Sequence, residues 1–177
     1  MTRRLALLVV ILATIGCDRV TKHLAETTLE EMPDRSYLAD TIRLGYTENT
    51  GGFLSIGANL PPVARTILFT LGTGVVLCAL ALLLVRRPDA AWSSVGLALF
   101  VAGGASNWID RVIRGSVVDF LNVGIGPVRT GIFNVADVAI MIGLGCFVIG
   151  ELIVTPPAPG APEADSPPVA SGPHQCP

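Results

Sequence analysis

Residues 132 to 154 read IFNVADVAIMIGLGCFVIGELIV, an apolar run long enough to cross about 30 Å of hydrocarbon as a single helix. Asn134 and Asp137 lie in its first turns, three residues apart, and so project toward one face near its outer end. A carboxyl group at that level is costly unless it is hydrogen-bonded, protonated or used in chemistry. Three earlier stretches have the same character: roughly Leu5 to Leu24, Val63 to Val85 and Trp92 to Ile109. The first is the weakest, because its uninterrupted apolar run ends at Cys17 and Asp18 follows. With 51% hydrophobic and 15% charged residues and a mean hydropathy of +0.62, the composition belongs to a membrane protein. The expected fold is all-α and integral to a membrane, with four transmembrane helices.

A net charge of -2 offers no concentrated basic face, which sets nucleic acid aside as a partner. Cys17, Cys78, Cys146 and Cys176 stand singly, without the paired spacing of zinc sites or disulfide frameworks, and are expected to be unpaired. From Thr155 onward the chain holds eight of its 13 prolines and no large aromatic residue, too little to bury a core. Residues 1–154 therefore form the expected membrane domain, and 155–177 a disordered Pro-rich C-terminal tail. His174 and Cys176 lie in that tail, where two ligands do not make a metal site.

Arg3 and Arg4 before an apolar run that ends Thr14-Ile15-Gly16-Cys17 also fit a cleavable lipoprotein leader, but three further spans would be odd cargo behind one. Two loops fall on one side of the membrane. The first, about residues 25 to 61, contains the alternating segment Thr41 to Thr47, and the second, Asp110 to Gly131, a strand-like piece around Ser116 to Val123. The two segments can pair into a small sheet over the helix ends. Basic residues do not orient the chain: Arg3, Arg4, Arg86 and Arg87 cluster on one face, while Arg19, Lys22, Arg35, Arg43, Arg111, Arg114 and Arg129 lie on the other.

Polar residues gather at that second face. Asp18 and Lys22, four apart with the acid first, suit a helical ion pair that either holds the end of the span or serves a substrate. Asn107 and Arg111 share one face of the third helix end, as a structural clamp on the following loop or as substrate contacts, while Asp110 points elsewhere as a partner for a neighbouring Arg. Asp119 lies beside the membrane on the same side as Asp137. Two carboxyl groups brought close do not both ionise comfortably, and the pair then shares a proton. That is the working state of a two-aspartate protease, in which one carboxylate takes a proton from water while the other carboxyl group donates to the scissile carbonyl. The alternative leaves Asp137 bonding a neighbouring helix and Asp119 facing water.

The motifs Asp18-Arg19-Val20-Thr21-Lys22, Asn49-Thr50-Gly51, Asn107-Trp108-Ile109-Asp110-Arg111, Gly115-Ser116-Val117-Val118-Asp119-Phe120 and Phe133-Asn134-Val135-Ala136-Asp137 occur in this order among the four spans. In them, over roughly residues 5 to 154, the chain resembles the lipoprotein signal peptidases, or signal peptidase II. The resemblance implies four transmembrane helices with a small β-sheet cradle on the outer side, and an aspartic endopeptidase with catalytic Asp119 and Asp137. It implies substrate contacts from Asn49, Asn107, Arg111 and Asn134, with Asp18 and Lys22 supporting. The implied substrate is a prolipoprotein carrying diacylglyceryl-cysteine, cut just before that cysteine, and no cofactor or metal is implied. The implied setting is the bacterial cytoplasmic (inner) membrane, both termini cytoplasmic, with membrane lipids as surroundings; a monomer is the expected form, although spacing and composition do not give the oligomeric state.

Two departures from the family pattern stand out: Ser106 replaces a usual Gly, and Gly52-Phe53-Leu54 moves an aromatic one place forward. The competing function is a small transporter or channel component whose acids relay protons or bind a cation. It requires polar residues spread along the depth of the spans, whereas here they gather at one end.

Overall fold

The computed structural model describes residues 3–87 and 91–153. The tail beyond Ile153, with His174 and Cys176, lies outside the described residues. Four long helices, α1 (Arg3–Leu29), α2 (Pro62–Arg86), α3 (Ala91–Arg114) and α4 (Val135–Ile153), carry a small antiparallel sheet. Its strands are β1 (Arg35–Tyr37), β2 (Ile42–Asn49), β3 (Val117–Ile125) and β4 (Val128–Arg129), in the order β1-β2-β3-β4. Both expected strand segments are present and pair with each other, Thr47 opposite Asp119 and Asn49 opposite Val117. The flanking strands β1 and β4 carry no alternating pattern and are too short for periodicity to reveal.

Burial is inverted relative to a soluble domain. Asp18 and Asn134 are fully buried, while Leu12, Val75 and Ile149 are each more than half exposed. Apolar side chains pointing outward over whole helix faces suit hydrocarbon, not water. The helices differ in how plainly they fit a bilayer. α2 and α4 have mean hydropathies of 2.6 and 2.0 over their best windows and are long and apolar enough to cross a bilayer. α1 and α3 are long enough, but their C-terminal halves, toward the sheet, carry Asp18, Arg19 and Lys22, and Asp110, Arg111 and Arg114. Of the four expected apolar spans, two are plainly apolar enough, and the other two devote the turns beside the sheet to the polar cluster. A π-helical stretch, Thr66–Gly72, interrupts α2.

The closest packing is between α3 and α4. A Cβ on Gly143 would lie 2.6 Å from the Gly96 carbonyl oxygen, and one on Gly103 would strike the Ala136 carbonyl. Small residues let two backbones approach closely in a setting where no hydrophobic force drives helices together. The contact at Gly103 fixes the first turn of α4, with Asp137, one turn along α3 from Asn107. The start of α4 is also tied to the sheet: the Phe133 carbonyl accepts from Phe120 and Leu121 N–H, and the Phe133 N–H donates to Leu121. Asp119 and Asp137 are therefore carried by a strand and a helix joined through one short segment.

Candidate active site

The eight candidate catalytic, substrate-binding and supporting residues meet in one hydrogen-bonded cluster, seven of them buried and Arg111 partly exposed. Asp119 on β3 is 2% exposed and accepts from two amides, Asn49 Nδ2 at 2.9 Å and Asn134 Nδ2 at 2.6 Å. Asp137 on α4 accepts from Asn107 Nδ2 at 3.0 Å and from the Asn134 backbone N–H at 3.1 Å. Asn134 therefore donates to both carboxyl groups, side chain to one and main chain to the other. Its Oδ1 in turn accepts the Asp137 N–H at 3.0 Å, so it also caps the first turn of α4. Burial pushes the Asp119 carboxyl up to about 6; the nearby Asp137 adds to the rise, while the Asn49 and Asn134 amides oppose it.

Behind the acids lies a second layer of charge. Lys22 Nζ donates to Asp18 Oδ2 at 2.7 Å, Asp110 Oδ2 at 2.8 Å and Asn107 Oδ1 at 2.7 Å. The expected Asp18–Lys22 pair is present, and Asp110 also takes Arg19 at 2.5 Å. Asp18 reaches forward as well: its Oδ1 accepts the Ala136 N–H at 2.9 Å, beside Asp137. Buried ions are tolerable only when each is paired and its remaining lone pairs are filled, and here they are. Because Asn107 Oδ1 faces two donors, Lys22 and Asn134 Nδ2, its Nδ2 is turned toward Asp137.

Arg111 clamps the first loop instead of the one that follows it. Its Nε and Nη2 both donate to the Gly51 carbonyl, at 3.2 and 2.7 Å, and Nη1 donates to the Asn107 carbonyl at 3.3 Å. The Gly51 turn is tight: an added Cβ would lie 2.6 Å from the Ile56 carbonyl oxygen, and Asn49 Oδ1 accepts the Gly51 N–H. Beyond it Leu54 and Ser55 adopt φ of 52° and 62°, left-handed backbone that L-residues hold only under constraint. This is the site of the shifted aromatic. Phe53 and Leu54 wall a cavity of about 320 Å³ together with Phe133, Met141 and Ile142, and Asp137 is its one ionisable lining residue among the described residues.

Sequence reasoning missed the work of Ser106. Its hydroxyl donates to Asp18 Oδ2 at 2.7 Å and its carbonyl accepts from Arg19 at 2.7 Å, so the serine in place of glycine is wired into the charged layer. Arg19 was visible in its motif, but nothing in linear spacing pointed it at Asp110 on another helix. Cys17, Cys78 and Cys146 are free, as their spacing implied.

The family described as signal peptidase (SPase) II matches residues 10–153, which span every element of this site. The chain belongs to the signal peptidase II family. Among its similar proteins is the lipoprotein signal peptidase of Streptococcus pneumoniae, 32% identical over 153 residues, covering 86% of this chain and 95% of the relative. The lipoprotein signal peptidase of Desulforapulum autotrophicum is 36% identical over 137 residues, 76% of this chain and 83% of the relative. A solved bacterial membrane enzyme superposes with a TM-score of 0.73 at 27% identity, covering 84% of this chain and 88% of that one. As a signal peptidase II relative with membrane-enzyme neighbours, the chain is a membrane peptidase of bacterial type.

Proposed function

We propose that this chain removes the signal peptide from prolipoproteins whose cysteine already carries diacylglycerol, cutting just before that cysteine, with Asp119 and Asp137 as an aspartic catalytic pair. The observation that carries the reading is Asn134, which donates to both carboxyl groups and so couples a strand and a helix into one buried acid pair. One carboxylate takes a proton from the attacking water, and the hydroxide equivalent adds to the scissile carbonyl carbon. The protonated partner donates to the carbonyl oxygen and, as the tetrahedral intermediate collapses, a proton passes to the departing amine. Asn49, Asn107 and Asn134 hold the acids in orientation, and Arg111 holds the Gly51 turn and offers its remaining donors to substrate carbonyls. The cavity at Asp137 offers an apolar wall to a hydrophobic substrate segment.

The same reading makes residues 1–154 the peptidase domain with all four helices crossing the inner membrane, both termini cytoplasmic, the sheet and acids near the outer face, and a monomer among membrane lipids. The lipid tails of the substrate then stay in the bilayer while the scissile bond meets the acids. A transporter reading is disfavoured because the buried acids Asp18, Asp110, Asp119 and Asp137 lie in one cluster at one end of the helices. Incubating the purified protein with a diacylglyceryl-modified prolipoprotein and weighing the products tests the activity. Release of a product beginning at the lipidated cysteine supports it, and an uncleaved substrate counts against it.

A further inference from the structure

A second cavity, about 420 Å³, opens between the start of α2 and the end of α3 and shares no residue with the cavity at Asp137. Thr50, Arg65, Thr66, Phe69, Thr70 and Arg111 line it, and among the described residues no carboxylate does. Arg65 brings an uncommitted charge. Its Nη1 reaches the Ala58 carbonyl only at 3.5 Å, and its Nε is buried without a hydrogen-bond partner. A guanidinium held by one long hydrogen bond, lining a hollow that also holds a second guanidinium and hydroxyl groups, suits an acceptor-rich anion. The turns beside the hollow expose Ile67 and Leu71 on α2 and Val112 and Ile113 on α3, so an anion seated there has apolar surface on both sides.

We propose that this cavity binds a phosphate group, with Arg65 as its principal contact, and that the phosphate is the phosphodiester of a membrane lipid whose acyl chains lie along those apolar turns. Planar guanidinium donors match phosphate oxygens in pairs, and a site at the end of two helices lies at headgroup level. The proposal rests on the membrane placement given above, but its readout is binding and not cleavage. Failure of the lipid site leaves the peptidase reading standing, and an inactive enzyme leaves the lipid site standing.

The experiment is native mass spectrometry of the full chain in detergent, titrated with phosphatidylglycerol and, separately, with diacylglycerol of the same acyl chains. One phosphatidylglycerol should be retained at least tenfold more tightly than diacylglycerol, and Arg65→Gln should weaken that retention about tenfold, since each decade corresponds to ~1.4 kcal/mol. Arg65→Lys, which keeps the charge, should fall between the two. Displacement of the lipid by millimolar inorganic phosphate would assign the site to free phosphate as its source, and no displacement assigns it to the lipid. Equal retention of phosphatidylglycerol and diacylglycerol by the unmodified protein overturns the proposal without any variant. Undiminished retention by a folded Arg65→Gln protein does so as well.

Discussion

Replacing Asn107 with alanine isolates what an amide does for Asp137, a proposed catalytic carboxyl group. The side chain makes one donation, to Asp137 Oδ1 at 3.0 Å, and accepts from Lys22 at 2.7 Å and Asn134 at 3.2 Å. In the variant Lys22 keeps both Asp18 and Asp110, so the charged layer survives and the fold should remain. Asp137 keeps the Asn134 backbone N–H but loses its only side-chain donor. A hydrogen bond to a charged group contributes about 1.5–3 kcal/mol, and each 1.36 kcal/mol in the barrier is tenfold in rate, so Asn107→Ala should slow cleavage between about tenfold and a hundredfold. Initial rates on a diacylglyceryl-modified prolipoprotein, alongside thermal unfolding of the same preparation, measure this. A rate within about threefold of the unmodified protein, with unchanged unfolding, would show that Asn107 does not hold Asp137 in its working orientation.

Lys22→Met leaves the buried carboxylates Asp18 and Asp110 short of their shared cation and should cost about 3–5 kcal/mol of stability, read as a large fall in unfolding temperature. Arg111→Lys exchanges a two-pronged grip on the Gly51 carbonyl for a single donor and should lower turnover about tenfold without unfolding the protein; unchanged turnover and substrate affinity would remove Arg111 from the site. The Asp119 carboxyl, raised to about 6, is protonated below that pH and loses its proton as pH rises through it. If it is the acid of the pair, kcat/KM should decline above about pH 6, with an apparent pKa belonging to the pair. The same sign applies to stability: this carboxyl is uncharged in the fold below about 6, and burying its charge weighs against the fold as pH rises through that value. A kcat/KM profile flat from pH 5 to 8 would contradict the assignment.

The parts of this molecule legible in the sequence are those written by local spacing. Asp18 and Lys22, four apart, do pair, while Asn134 precedes the helix that begins at Val135 and meets Asp137, three residues on, through reciprocal capping bonds. The long apolar runs are helices, although α1 continues to Leu29, beyond its expected end at Leu24, because its C-terminal turns are stabilised by Asp18, Lys22 and their partners on α3. What spacing could not convey is which groups meet across elements. The Arg19–Asp110 bond and the Ser106 hydroxyl on Asp18 join α1 to α3. Likewise, spacing suggests Arg111 as a clamp on the loop that follows it, whereas its fork closes on Gly51, 60 positions away. Such contacts depend on helix rotation and depth, which close backbone approaches such as that at Gly103 set only once the chain is packed.

The central claim is that Asp119 and Asp137 act as one device. Cleavage of a diacylglyceryl-modified prolipoprotein, measured for Asp119→Asn, Asp137→Asn and the double variant in folded preparations, tests it most directly. Each single variant should lose more than about tenfold in turnover, over 1.4 kcal/mol of transition-state stabilisation, and the double variant should be scarcely worse, because groups acting as a unit are strongly non-additive. Either single variant retaining more than about a tenth of the unmodified turnover would contradict the two-aspartate mechanism for this chain.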